Sequence, residues 1–396
     1  MPIHFIPNDP LAISSLPMRQ QDPSAERPPG VAGFAVQGSA REDLFLPGSP
    51  EFLFWQCREA ALRAVATWES LTGPLLAWAP ALADRQSLPV FPDDGIDINA
   101  YYDRESLRFF QHTTDGKTTF SGASTDVVAH ETGHALLDSI RPDLLDSSLP
   151  ETNAFHESFG DCIALLTSLA DPDTRRALLA ISLNLDTASF VESLMEDLAD
   201  GVLRALGSSH PSSEPRHALN NFLWQLPTTL PKSGPPAVLT GEEHSFSRVF
   251  TGCFYDAIRN IFQGFPNRTE DTLWTAAQAA GKLLIAAAQK APESPRFFQA
   301  VGRAMVLEDE RMNGGAHMTA LRTAEEPPRR RHRGDRWRAT GQGGALPVGA
   351  AQRSRGRLGR LFDLADQLLA LAAPEAHRME QGGAEVGVRH RSAGST

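Results

Sequence analysis

At 396 residues the chain is long enough to bury a full core, and a net charge of −11 argues against a core built to grip nucleic-acid phosphates. An apolar content of 41% is ordinary for a globular protein, and no apolar run reaches membrane-spanning length. Three widely separated cysteines, Cys57, Cys162 and Cys253, form no C-x-x-C and read as buried free thiols, so no oxidising compartment is required.

Residues 1–43 are rich in Pro, Gly and Ser without hydrophobic period and read as an irregular lead-in. Met1 to Pro7 lacks a basic stretch and is broken by proline, so it is no secretory signal. The expectation is a cytoplasmic protein, or one exported without a recognisable signal peptide. Ser49-Pro50 opens a helix, with Ser as cap and Pro where no N–H is needed. Phe54, Cys57, Ala61, Val65 and Trp68 form its buried stripe, and Gly73 ends it. From Pro89 to His112 the pattern alternates as in strands, and Asp115-Gly116 marks a turn.

Asp126 to Leu137 reads D-V-V-A-H-E-T-G-H-A-L-L, with apolar residues at helical spacing. His130 and His134 then lie one turn apart on one face and can reach one ion, while Glu131 sits beside a water on it. A second helix, running to about Leu169, carries Glu157 and Asp161, again at i, i+4. Two His and one carboxylate, His130, His134 and Glu157, are the ligand set of a catalytic zinc site. Asp161 suits the role of accepting the free N–H of a ligand histidine. The metzincin pattern fails, because the positions needing Gly and His hold Leu137 and Ile140.

Further helices are expected near 173–182, 190–206, 247–263, 270–290 and 295–307, the last two started by Thr269 and Ser294-Pro295. His210 to Gly241 is a Pro- and Ser-rich loop region with Arg216 and His244 near its ends. From 323 the chain reads as an Arg/Gly-rich tail outside the catalytic fold, broken by one amphipathic helix at 358–371. Pro327 onward holds 13 Arg and 6 acidic residues, which leaves a nucleic-acid or anionic-surface arm open for the tail alone.

With these residues in place, the chain resembles the thermolysin-like zinc metallopeptidases, the gluzincins whose third ligand is a Glu. The likeness covers about Phe45 to Arg322. It rests on Asp126 to His134, on His156-Glu157 through Asp161, on Asn99-Ala100-Tyr101-Tyr102 as an edge strand, and on His244-x-x-Ser247 with Tyr255 beyond. The resemblance implies an α+β, two-lobe metallopeptidase: a β-containing N-terminal lobe over 44–145, a helical C-terminal lobe over 146–322, and the zinc helix between them. It implies a monomeric zinc endopeptidase acting on peptide or protein substrates, with Glu131 as general base. His244 and Arg216 would stabilise the transition state and hold the substrate, and Asn99 and Ala100 would bind an extended peptide.

Two positions depart from the family. No Tyr lies between His134 and Glu157, and Leu239 stands where an acid would orient His244, leaving Glu242 or Glu243 as its partner. The family's calcium site is matched by Asp126 but lacks a complete set of acidic partners after Asp161. These departures keep a second reading open, a weakly active or inactive zinc-containing relative that interacts through its basic tail.

Overall fold

The computed structural model describes residues 1–324, so all but the first two residues of the expected tail, and the helix at 358–371, lie outside the described residues. Four strands form a mixed sheet: β3 (Gly33–Val36), β4 (Ser87–Phe91), β6 (Leu107–Phe109) and β5 (Ala100–Tyr102), in that spatial order. β3 pairs parallel with β4, and β4 parallel with β6, while β5 closes the edge antiparallel, Ala100 opposite Phe109. A hairpin of β7 (Gln111–Thr114) and β8 (Lys117–Phe120) turns at Asp115-Gly116, both in the left-handed region.

The lead-in is more ordered than its composition suggests. β1 (Ile3–Phe5) pairs antiparallel with β2 (Arg19–Gln21), and β3 belongs to the main sheet. Strands of three or four residues are too short to show a period, yet Ile3 and Phe5 are fully buried. Beyond them, Asn8 and Asp9 reach the start of the zinc-motif helix: Asn8 Nδ2 donates to Asp126 Oδ1 at 2.8 Å, and Ser124 Oγ donates to Asp9 Oδ2 at 2.8 Å.

Helix α1 (Pro50–Thr72) runs as expected, with Phe52 N donating to the Ser49 cap at 3.2 Å and Gly73 at φ +89° beyond its end. α2 (Thr125–Ile140) carries the first motif and is buried on every side from Thr125 to Asp138, as a helix at the centre of a fold must be. It packs on α3 (Pro150–Ala170), which carries the second motif. Around them stand α4 (Pro172–Ile181), α5 (Glu196–Leu206), α6 (Glu243–Gln263), α7 (Glu270–Lys290), α8 (Phe297–Asn313) and α9 (Met318–Thr323). Phe155 of α3 meets Phe159, Phe250 and Phe297 at ring-centroid distances of 5.1–6.0 Å. Truncating such a buried aromatic costs about 3–5 kcal/mol. The largest apolar cluster is continuous from Phe5 to Leu321, so the sheet and the helices share one core. The class is α+β.

Three helix starts differ from expectation. The 190–206 segment is helical only from Glu196, because Ser193-Leu194 (β9) pairs antiparallel with Arg216-His217 (β10) and Met195 turns left-handed at φ +62°. α6 begins at Glu243 rather than 247, since the Glu242 carboxylate caps it by accepting from Ser245 N at 2.9 Å; His244 therefore sits in the first turn of a helix. α8 begins at Phe297 and extends to Asn313, without a side-chain cap from Ser294. The three cysteines are buried free thiols, and no helix among the described residues is long and apolar enough to cross a membrane.

Candidate metal centre

Helical spacing puts His130 and His134 on one face of α2, and the crossing of α3 brings Glu157 to them. His130 Nε2 lies 3.0 Å from His134 Nε2 and 3.4 Å from Glu157 Oε2, and His134 Nε2 lies 3.5 Å from Glu157 Oε1. Ligand bonds of 2.0–2.1 Å at tetrahedral angles put donor atoms about 3.3 Å apart. Two imidazole nitrogens and one carboxylate at these separations fit a zinc ion.

Both ligand imidazoles have a partner on their other nitrogen. Asp161 Oδ1 lies 3.0 Å from His130 Nδ1 and 3.1 Å from Arg216 Nη2, although neither N–H points squarely at that oxygen. The other carboxylate oxygen accepts from Thr251 Oγ1 at 3.1 Å. His134 Nδ1 is 2.8 Å from His156 Nδ1, the two rings meeting edge to edge with their planes 29° apart.

The crossing is close enough to exclude a side chain. A Cβ on Gly160 would stand 2.6 Å from His130 Nδ1. Only a glycine lets this ring lie against α3.

Burial and charge set the protonation pattern. Burial pushes Glu157 up, but His244, His134 and His130 together hold its carboxylate well below the usual range. Burial pushes His134 well down and His156 down to about 4, which keeps both neutral. Burial and Arg216 push His130 down, while Asp161 and Glu157 hold it up at about 9, so loading the site displaces a proton from it. Glu131 is pushed up to about 7, chiefly by burial.

Arg216 donates through Nη1 to Glu157 Oε2 at 3.0 Å, and its Nη2 is 3.0 Å from Met195 Sδ. His244 approaches the same Glu157 oxygen with Nε2 at 3.5 Å. Its Nδ1 pairs with Glu242 rather than Glu243, and Glu157 and Glu242 raise it to about 9 against burial. Glu242 thus serves as both helix cap and partner of His244. Tyr255 lies elsewhere, in the core, with a buried hydroxyl that has no partner among the described residues.

His130, His134, Glu157, Arg216 and His244 line a cleft of about 1170 Å³. Glu131 is on its wall, only 6% exposed and without a hydrogen bond among the described residues. Asn99 and Ala100 also line it, at the edge β5 of the sheet, where the Asn99 amide oxygen accepts from Ala100 N at 2.9 Å. β5 is tied to the zinc-motif helix through Tyr102, whose hydroxyl donates to Asp138 Oδ2 at 2.8 Å.

Asp126, the one match to the family's calcium site, makes hydrogen bonds within the protein: one oxygen accepts from Asn8 Nδ2 at 2.8 Å and from Ser168 Oγ at 3.2 Å. Among the described residues no group of three His, Cys, Asp or Glu side chains converges there.

The sequence expectations missed His156, Gly160, Met195 and the double role of Glu242. The His156-Glu157 pair stood in the motif itself. The others depend on contacts between distant segments. No family model matches the chain, and no curated protein matches it either.

Proposed function

We propose that the protein is a zinc-dependent endopeptidase of the thermolysin-like, two-lobe type. The observation that carries this reading is Glu131, a buried carboxylate without a hydrogen bond among the described residues, on the cleft wall and next in sequence to one of three convergent donors. A purely structural zinc site has no use for it.

His130, His134 and Glu157 would hold the zinc, which when bound supplies a Lewis acid and brings its water into reach of deprotonation near pH 7. An extended peptide adds to the open edge of β5 by backbone hydrogen bonds, Ala100 offering its main chain beside Asn99. Glu131 accepts the proton of the attacking water and returns it to the leaving nitrogen. His244, held cationic by Glu242 and Glu157, donates to the oxygen on which negative charge develops. Arg216, on the same cleft, would hold the substrate carbonyl next door, and each such donor contributes roughly 10²–10³ in rate.

The test is metal analysis joined to a broad peptide-cleavage assay. One zinc per chain is expected, with cleavage lost to a chelator and restored by zinc. Zinc-loaded protein that cleaves no peptide would favour a non-catalytic relative.

A further inference from the structure

The second ligand histidine has an unusual partner. His134 and His156 face each other edge to edge through their Nδ1 atoms at 2.8 Å, with centroids 5.0 Å apart and planes at 29°. His130, one turn away, has a carboxylate in the corresponding place. We propose that His156 is a positioning residue of the zinc site, whose bare Nδ1 accepts the Nδ1–H of His134 and thereby commits His134 to the metal through Nε2. This inference rests on the zinc reading above.

The proton count follows from geometry. His134 Nε2 is the atom turned toward His130 Nε2 and Glu157, so as a ligand it is unprotonated and the ring's one proton sits on Nδ1. A nitrogen–nitrogen contact of 2.8 Å holds one proton, so His156 Nδ1 must be the acceptor. The remaining proton of His156 is then on Nε2, which is buried and has no partner among the described residues. A buried N–H left unsatisfied costs stability, and such exceptions call for a functional account. Here the ring is held by the bond on its opposite side.

A neutral partner also differs in kind from a carboxylate. It fixes orientation and tautomer without adding negative charge beside the ion, so His134 remains the less basic of the two imidazole ligands. The site is asymmetric in this respect.

The experiment compares zinc affinity by chelator competition, and the absorption spectrum of the cobalt-substituted protein, in the parent, His156→Leu and His156→Asn. Leu fills similar space but removes the acceptor, and affinity should fall about 10–100-fold with an altered cobalt spectrum. Asn restores an acceptor oxygen and should recover affinity to within a few fold. In the zinc-loaded parent, ¹⁵N chemical shifts of the histidine rings should show His156 protonated on Nε2 alone. A His156 protonated on Nδ1 would overturn the inference even if the Leu variant fails to fold. Parent-like affinity in His156→Leu would overturn it while leaving the zinc reading intact. A parent that binds no zinc overturns both.

Discussion

Gly133 and Gly160 meet where the two motif helices cross: a Cβ on Gly133 would stand 2.8 Å from the Cα of Gly160. On the other side of this contact, Gly160 is the surface against which His130 lies. One close approach of backbones therefore sets how far Glu157 stands from both histidines.

Gly160→Ala should displace His130 and separate the helices. Overpacking of this kind costs about 1–3 kcal/mol. Denaturant unfolding should report that loss, and zinc titration should show weakened binding. Parent-like zinc affinity in a folded Gly160→Ala protein would mean that the ring has room the crossing does not suggest.

His134→Ala removes one of the three side chains placed to hold a metal and leaves two. Purified variant should contain far less than one zinc per chain. Full zinc content in it would locate the metal elsewhere.

Asp9 gives the fold a pH dependence of its own. Leu11 N, Asp197 N and Ser124 Oγ all donate to it, yet burial is the larger effect and raises it to about 7. An unfolded chain releases this proton near pH 3.9. Between those values the native state holds a proton that the unfolded chain has lost, so stability from this group is complete below about pH 4 and is lost as pH rises toward 7. Buried Asp126, also raised by burial, acts in the same direction. Melting temperature should decline from pH 5 to pH 7.5. Asp9→Asn, able to keep all three contacts if Ser124 reverses its hydroxyl, should flatten that decline. An unchanged slope would assign it to other groups.

The last buried residues among those described are Leu321 and Ala324, 5% and 3% exposed. A chain stopped after Ala324 should fold and bind zinc as the parent does, whereas one stopped after Arg322 loses a buried residue. Aggregation of the longer truncation would place later residues in the core.

What was legible in the sequence was what a single helix determines. His130 and His134 share a face because of helical pitch, and Glu157 and Asp161 follow the same rule on α3. The strand character around Ala100 was readable from alternation and its edge position only from the family resemblance, while the left-handed Asp115-Gly116 turn was readable from residue type. Contacts between segments were not readable. Nothing local says that Gly160 must lack a side chain for the sake of His130, or that Met195 will end a strand in a left-handed turn. The lead-in hid its strands because they are too short for periodicity, and their stability comes from partners such as Gln56, which bonds Ile6 through both main-chain groups. His244 was singled out by the family resemblance, but its helix cap was missed because Glu242 serves two purposes at once.

The central claim is that Glu131 moves protons and does not hold the metal. Glu131→Gln preserves size and a hydrogen-bonding group while removing the carboxylate, so the most direct measurement is peptide hydrolysis and zinc content in that variant beside the parent. The account predicts one zinc per chain in both, with hydrolysis reduced by at least about 10²–10⁴-fold in the variant. A Glu131→Gln protein that keeps its zinc and cleaves peptides as fast as the parent would contradict it.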